Sequence, residues 1–84
     1  DLDGADAAIG RALAADSGSL DALSLQGATR WLRGDQRGFE AIRRRVLAAD
    51  PRHGALYATL AERAARQRRY ADAARLAAEG VALD

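Results

Sequence analysis

Similar stretches of this chain recur at one fixed interval, and this limits the possible folds more than any other feature. The stretch LAAD at 13–16 recurs as LAAD at 47–50 and as VALD at 81–84. Arg11 and Arg45 lie in the same register, as do Gly4 and Gly38. A period of about 34 residues, filled with helix-forming residues, is typical of stacked helical repeats. The sequence therefore predicts an all-α fold.

Local stop signals divide the chain into five predicted helices. Four breaks are expected: at 16–19 (DSGS), at Gly34-Asp35, at Asp50-Pro51 and at the Arg-rich turn around 68–69. At Asp50-Pro51 the proline cannot continue a helix and biases Asp50 toward extended backbone. Ser19 is the predicted N-cap of the second helix. The connections are short, so consecutive helices should pack antiparallel. The predicted helices cover about 5–15, 20–33, 36–49, 54–67 and 70 to the end.

The predicted buried faces follow from the spacing of apolar residues along each helix. The third helix should bury Phe39, Ile42, Val46 and Ala49. The corresponding stripes of the fourth and fifth helices are Tyr57, Leu60, Ala61 and Ala64, and then Ala73, Ala74, Ala77 and Val81.

The chain resembles the tetratricopeptide repeat (TPR) family, whose antiparallel helix pairs recur with a period of about 34 residues. The last repeat carries the resemblance best, with Tyr57, Leu60, Ala61 and Ala73 at positions where the family favours such residues. The resemblance implies a single domain over 1–84, folded as a right-handed solenoid of about two and a half repeats. The helix at 5–15 would be the second helix of a partial repeat, followed by complete repeats at 20–50 and 54–84. The middle repeat keeps Gly27 at the small crossing position but departs from the pattern elsewhere. Its departures are Gln26, Arg30 and Phe39, and they leave the phase of the second helix open by one residue.

Charge and composition narrow the classes of partner. The net charge is only +1, although residues 1–29 carry about −4 and residues 30–84 about +5. Few aromatic residues lie among the arginines, so the pattern disfavours nucleic acid and fits an acidic protein partner better. Alanine supplies 22 of the 41 apolar residues, which predicts a thin core. No apolar run approaches the length of a membrane span, and no compartment is indicated.

The sequence contains no recognisable set of catalytic or metal-binding groups. His53 is the only histidine and cysteine is absent, so no second soft ligand supports a metal site. The glycines match neither a phosphate-binding loop nor a dinucleotide fingerprint. We therefore expect a protein that is not an enzyme and has no cofactor.

The family resemblance implies a binding groove lined by the first helix of each pair. Trp31 is either an anchor for a bound peptide in this groove or a core residue that fills the space left by Arg30. The predicted protein-binding residues, carried over by position, are Asp21, Ser24, Ala28, Trp31, Ala55, Ala58, Glu62, Ala65 and Arg66, with Leu32 beside them.

Two functional hypotheses follow. The first is a non-catalytic scaffold that binds a peptide or protein segment in this groove. The second is a structural spacer or self-association segment of a larger multidomain bacterial protein, with copies associating through exposed end helices. The stretch DPRHGALY at 50–57 is similar to repeat arrays that lie beside peptidase-like domains, which would place the spacer next to such a domain.

Overall fold

The computed structural model describes residues 2–83, and the residues in this range form five α-helices with no β-strand among them. The predicted all-helical class and the number of helices are confirmed. The first helix begins three residues earlier than predicted, because Gly4 falls in its first turn and not in the interior, where glycine is costly. Asp84, which ends the third copy of the repeated motif, lies outside the described residues. The helices are α1 (Leu2–Ala15), α2 (Leu20–Leu32), α3 (Gln36–Ala49), α4 (Ala55–Arg66) and α5 (Tyr70–Leu83).

Side-chain caps begin two of these helices. The Ser19 hydroxyl accepts a hydrogen bond from the Ala22 amide at 3.2 Å, so the predicted N-cap of α2 is confirmed. The Asp35 carboxylate does the same for α3, accepting from the Gly38 amide at 2.9 Å. Asp50, before Pro51, adopts extended backbone and ends α3, as the proline predicts.

The ends of α2 and α4 share one backbone motif at equivalent positions of the repeat. Gly34 after α2 and Arg68 after α4 both have positive φ, 80° and 62°. In each case the amide of this residue and the amide of the next residue donate back into the last helical turn, for example Arg68 to the Ala65 carbonyl and Arg69 to the Ala64 carbonyl, both at 2.9 Å. This is a Schellman ending, which glycine favours because a left-handed residue with a side chain is strained. The repeat is therefore present in the backbone as well as in the sequence.

Helix α2 lies at the centre of the packing, in contact with α1, α3 and α4, while α5 packs against α4. Gly27 permits this arrangement. A Cβ at that position would lie 3.3 Å from Ile42 and 3.4 Å from Leu56, so α3 and α4 approach α2 where a side chain is missing. The family resemblance predicted a small residue at Gly27 where helices cross, and α3 and α4 do approach α2 closely at this position.

The core is formed mainly by residues from α2, α3 and α4, with Leu76 added from α5. Leu23, Val46, Leu56 and Leu60 are almost completely buried. The predicted stripes of α3 and α4 are largely correct, apart from Ala49, which is exposed at the end of α3.

The predicted buried face of α5 is wrong. Ala74, Ala77 and Val81 are exposed and Ala73 is half-buried, whereas Leu76 and Gly80 are buried. A Cβ on Gly80 would lie 3.0 Å from the Tyr57 Cβ and 3.1 Å from the Gly54 carbonyl oxygen. Gly80 thus lets α5 approach the start of α4 closely, and the narrow stripe around Leu76 is the one that turns inward.

Candidate interaction surface

A cleft opens over α2, between α1 on one side and the end of α4 on the other. We call it the front cleft, and it encloses about 290 Å³. Its walls are low because α1 presents the small side chains of Ala5 and Ala8. The complete lining is Ala5, Ala8 and Ile9 of α1, Leu25, Ala28, Thr29 and Leu32 of α2, and Arg63, Arg66 and Gln67 at the end of α4.

The floor of the front cleft is effectively apolar. Leu25 and Leu32 are separated by about two helical turns, which places them on one face of α2. Thr29 lies between them, and its hydroxyl donates to the Gln26 carbonyl at 2.8 Å. Because that hydroxyl is satisfied within the helix, the floor presents no unpaired donor to a ligand.

The rim formed by α4 is basic. Arg66 pairs with Glu62 at 2.8 Å, and both side chains are well exposed. Arg63 is half-buried, and no described carboxylate lies within ion-pair distance of it. On the opposite side Asp6 pairs with Arg33 at 2.9 Å. Among the described residues, Arg63 is therefore the rim cation without a carboxylate partner.

The structure divides the predicted binding residues among different surfaces. Ala28, Arg66 and Leu32 line the front cleft, Ser24 and Trp31 are buried outside it, and Ala55 and Ala58 line a second cleft. The remaining predicted residues are Asp21 and Glu62, which are exposed, and Ala65, which is half-buried; none of the three lines either cleft.

Trp31 is a buried residue. It is 7 % exposed and belongs to the core cluster, and the guanidinium carbon of Arg69 lies 4.1 Å from the centre of its ring. Arg30, one residue earlier, is half-buried and lies 3.9 Å from Asp35. The second of the two interpretations of Trp31 is therefore the one the structure adopts, and Trp31 is not available as an anchor for a peptide.

The burial of Trp31 departs from the alignment of α2 with α4. The matching helix ends align Trp31 with Ala65 and Arg30 with Ala64, one repeat apart. The residues that are buried, however, are Trp31 in α2 and Ala64 in α4, and they lie one residue closer in sequence than the repeat interval. At the repeat interval itself, Ala22, Leu23 and Gly27 are buried like Leu56, Tyr57 and Ala61. Helix α2 packs against three helices and α4 against two, so α2 buries more of its surface, and Trp31 belongs to this additional part.

Sequence reasoning missed the contribution of α1 to the front cleft. It also missed Leu25, Thr29 and Arg63. The available signal was the spacing of Leu25, Thr29 and Leu32, which places these three residues on one helical face. The role of α1 depends on its position against α2, which no local pattern specifies.

The second cleft lies at the start of α4 and the end of α5, and we call it the end cleft. Its volume, about 510 Å³, is larger than that of the front cleft, and it is lined mostly by small residues. Val81 in its lining is 78 % exposed, and Tyr70 on the same helix is 65 % exposed. The end cleft lining comprises Asp50, Arg52, His53, Gly54, Ala55, Ala58, Ala77, Gly80 and Val81.

A polar groove lies between α3 and α5. Arg43 donates from Nε to the Tyr57 hydroxyl at 2.6 Å and lies 3.8 Å from Glu40. The hydrogen bond to Tyr57 raises the pKa of Arg43, so the guanidinium stays charged. On the facing helix, Arg75 contacts Glu79 at 3.4 Å. The charges of this groove are already paired, which makes it a structural surface.

The described part of the chain offers few groups for chemistry. Among these residues, no three of His, Cys, Asp and Glu come together in a way that could hold a metal ion. His53 lies 3.6 Å from Asp50 through Nδ1, and its Nε2 is buried without a hydrogen-bond partner. Over residues 2–83, none of the helices has the length and apolar character required to cross a membrane.

Comparisons with protein families, with curated proteins and with solved structures give no match for this chain. Its function must therefore be inferred from the residues and their geometry.

Proposed function

We propose that this protein is a non-catalytic binding module that holds a peptide or protein segment in the front cleft. The observation that carries the proposal is the combination of an apolar floor on α2 with a basic rim on α4. Binding sites in proteins are typically concave and apolar, with a few polar groups that orient the ligand. The front cleft has this composition, and the ligand would add apolar contacts that α2 lacks on its open face.

We further propose that the five helices are part of a tetratricopeptide-like array. The equivalent endings of α2 and α4, at Gly34 and Arg68, support this assignment because they repeat at the family's interval. The packing of α2 against both α3 and α4 is compatible with it. A right-handed stacking of further repeats follows from the same proposal.

The proposal can be tested by blocking the front cleft without disturbing the core. Ala8 is exposed on α1 and lines the cleft, so Ala8→Arg should fill it, whereas Ala7→Arg adds the same side chain to a neighbouring exposed position outside it. Peptides selected from a random display library against the wild-type protein should bind the Ala7→Arg variant normally and lose binding to Ala8→Arg. Equal binding to both variants would exclude the front cleft as the site.

A second candidate function is self-association through α5. Tyr70 and Val81 are the exposed large apolar residues of the described chain, and a separation of about three helical turns places them on one face of α5. Two copies packed along this face would cover both side chains and the end cleft. The alternative of a spacer beside a peptidase-like domain receives no specific support from the geometry.

Size-exclusion chromatography with light scattering measures the molar mass in solution and therefore tests self-association. A self-associating chain should approach twice the monomer mass of 8.9 kDa as its concentration rises. Val81→Ser should shift it toward monomer, and Ala82→Ser, at an exposed neighbouring position, should not. A single species of 8.9 kDa at all concentrations would remove self-association from consideration.

A further inference from the structure

We propose that the segment bound in the front cleft is acidic: one apolar side chain of about leucine size enters the cleft, and a neighbouring Asp or Glu side chain pairs with Arg63. This inference rests on the proposed binding function and specifies the chemistry of the partner.

The charge inventory around the front cleft supports an acidic partner. Two described carboxylates near the rim already have a cation: Glu62 pairs with Arg66 at 2.8 Å and Asp6 with Arg33 at 2.9 Å. Arg63 is the half-buried cation at the cleft for which the described residues supply no carboxylate. A carboxylate brought by a ligand would meet this charge in a partly desolvated position, where an ion pair is stronger than at an open surface.

The dimensions of the front cleft limit the size of the segment. The floor from Leu25 to Leu32 rises by about 10 Å along α2, which corresponds to about three residues of extended peptide. The volume of about 290 Å³ is at the lower end of the range for ligand pockets. One apolar side chain and its neighbours therefore fill the site, and a carboxylate one or two residues away can reach Arg63.

Three synthetic peptides test this chemistry directly. Each has nine residues, a central leucine and blocked ends, and the two residues flanking the leucine are Glu, Gln or Lys. Blocking the C-terminus ensures that the side chains supply every carboxylate. Titration of the ¹⁵N-labelled protein should shift the amides of Thr29, Leu32 and Arg63, and the Glu peptide should bind most tightly. Its affinity should fall as salt is added, while that of the Gln peptide should change little.

Variants of two arginines assign the effect to the rim. Arg63→Gln should weaken binding of the Glu peptide by about threefold to tenfold and leave the Gln peptide unchanged. Arg44→Gln removes the same charge from an exposed position on α3, away from the front cleft, and should leave both affinities unchanged. Circular dichroism of both variants confirms that the fold is retained.

The outcomes separate this inference from the proposed function. Equal binding of the three peptides, or an Arg63→Gln variant that binds the Glu peptide like the wild type, would overturn the acidic partner while the cleft remained a binding site. Failure of all three peptides to shift the cleft amides would also overturn it. In that case the display experiment with Ala8→Arg and Ala7→Arg still decides whether the cleft binds other peptides.

Discussion

Replacing Gly80 by alanine should destabilise the protein, although alanine is the better helix former. In the interior of a helix the exchange alone contributes about 1 kcal/mol in favour of alanine. At Gly80 the added Cβ would lie 3.0 Å from the Tyr57 Cβ and 3.1 Å from the Gly54 carbonyl oxygen. Neither atom is at the flexible end of a side chain, so α5 must move away from α4. Overpacking of this kind costs about 1–3 kcal/mol.

Gly10→Ala provides a matched control in the same structure. Gly10 is an exposed interior residue of α1, and a Cβ there meets no atom within 4 Å. Gly80 lies in the last turn of α5 and gains less helix propensity than Gly10, so the difference in unfolding free energy between the two variants contains the overpacking at Gly80 and this smaller gain. We expect Gly10→Ala to be the more stable variant by about 1–3 kcal/mol.

Urea unfolding followed by circular dichroism in the far ultraviolet measures both variants. For a domain of this size, each kcal/mol also corresponds to a shift of about 4–8 °C in Tm. If Gly80→Ala gained as much stability as Gly10→Ala, the close approach of α4 and α5 would be refuted, and with it the explanation of which face of α5 is buried.

Three further predictions test other parts of the structure. Arg68→Gly should stabilise the protein by about 0.5–1 kcal/mol in urea unfolding, because glycine adopts the positive φ at this position without strain. Gly34→Ala at the equivalent turn should destabilise it by about 1 kcal/mol for the same reason. If both changes shifted stability in the same direction, the two helices would not share the left-handed ending. Leu56→Ala should cost about 2–5 kcal/mol in the same assay, since Leu56 is fully buried where α4 meets α2, and a loss below about 1 kcal/mol would show that this interface is loose. Arg69→Gln should make the indole of Trp31 more accessible to acrylamide quenching, because the guanidinium no longer covers the ring, and should lower stability by about 0.5–1 kcal/mol. Unchanged quenching would argue against the stacked contact between Arg69 and Trp31.

The positions of the helix ends could be predicted from the sequence because local chemistry determines them. Ser19 caps α2 with its own hydroxyl, Gly34 tolerates the positive φ that ends it, and Pro51 restricts Asp50 to extended backbone. Each of these effects acts within a few residues, so the pattern of residues is sufficient to locate it.

The candidate binding surface was only partly predictable. Ala28 and Arg66 were identified by position, but the front cleft also needs Ala8 from α1 and Arg63 from α4. These residues come together only when three helices pack, and the small size of Ala8 matters because of where α1 lies. Residue types alone do not show that Arg63 faces the cleft without a carboxylate partner.

The residue pattern was sufficient to predict five helices and, apart from the start of α1, to place their ends within about one residue. Apolar spacing also predicted the buried faces of α3 and α4, whereas the face that α5 buries depends on how it packs against α4. Trp31 is covered by Arg69, and Val81 is left exposed because Leu76 and Gly80 face α4. The physical reason is that a helix can rotate about its axis with little change in its own hydrogen bonds. A rotation of one residue, about 100°, exchanges the buried and the exposed side chains, and only the shapes of the neighbouring helices select between them.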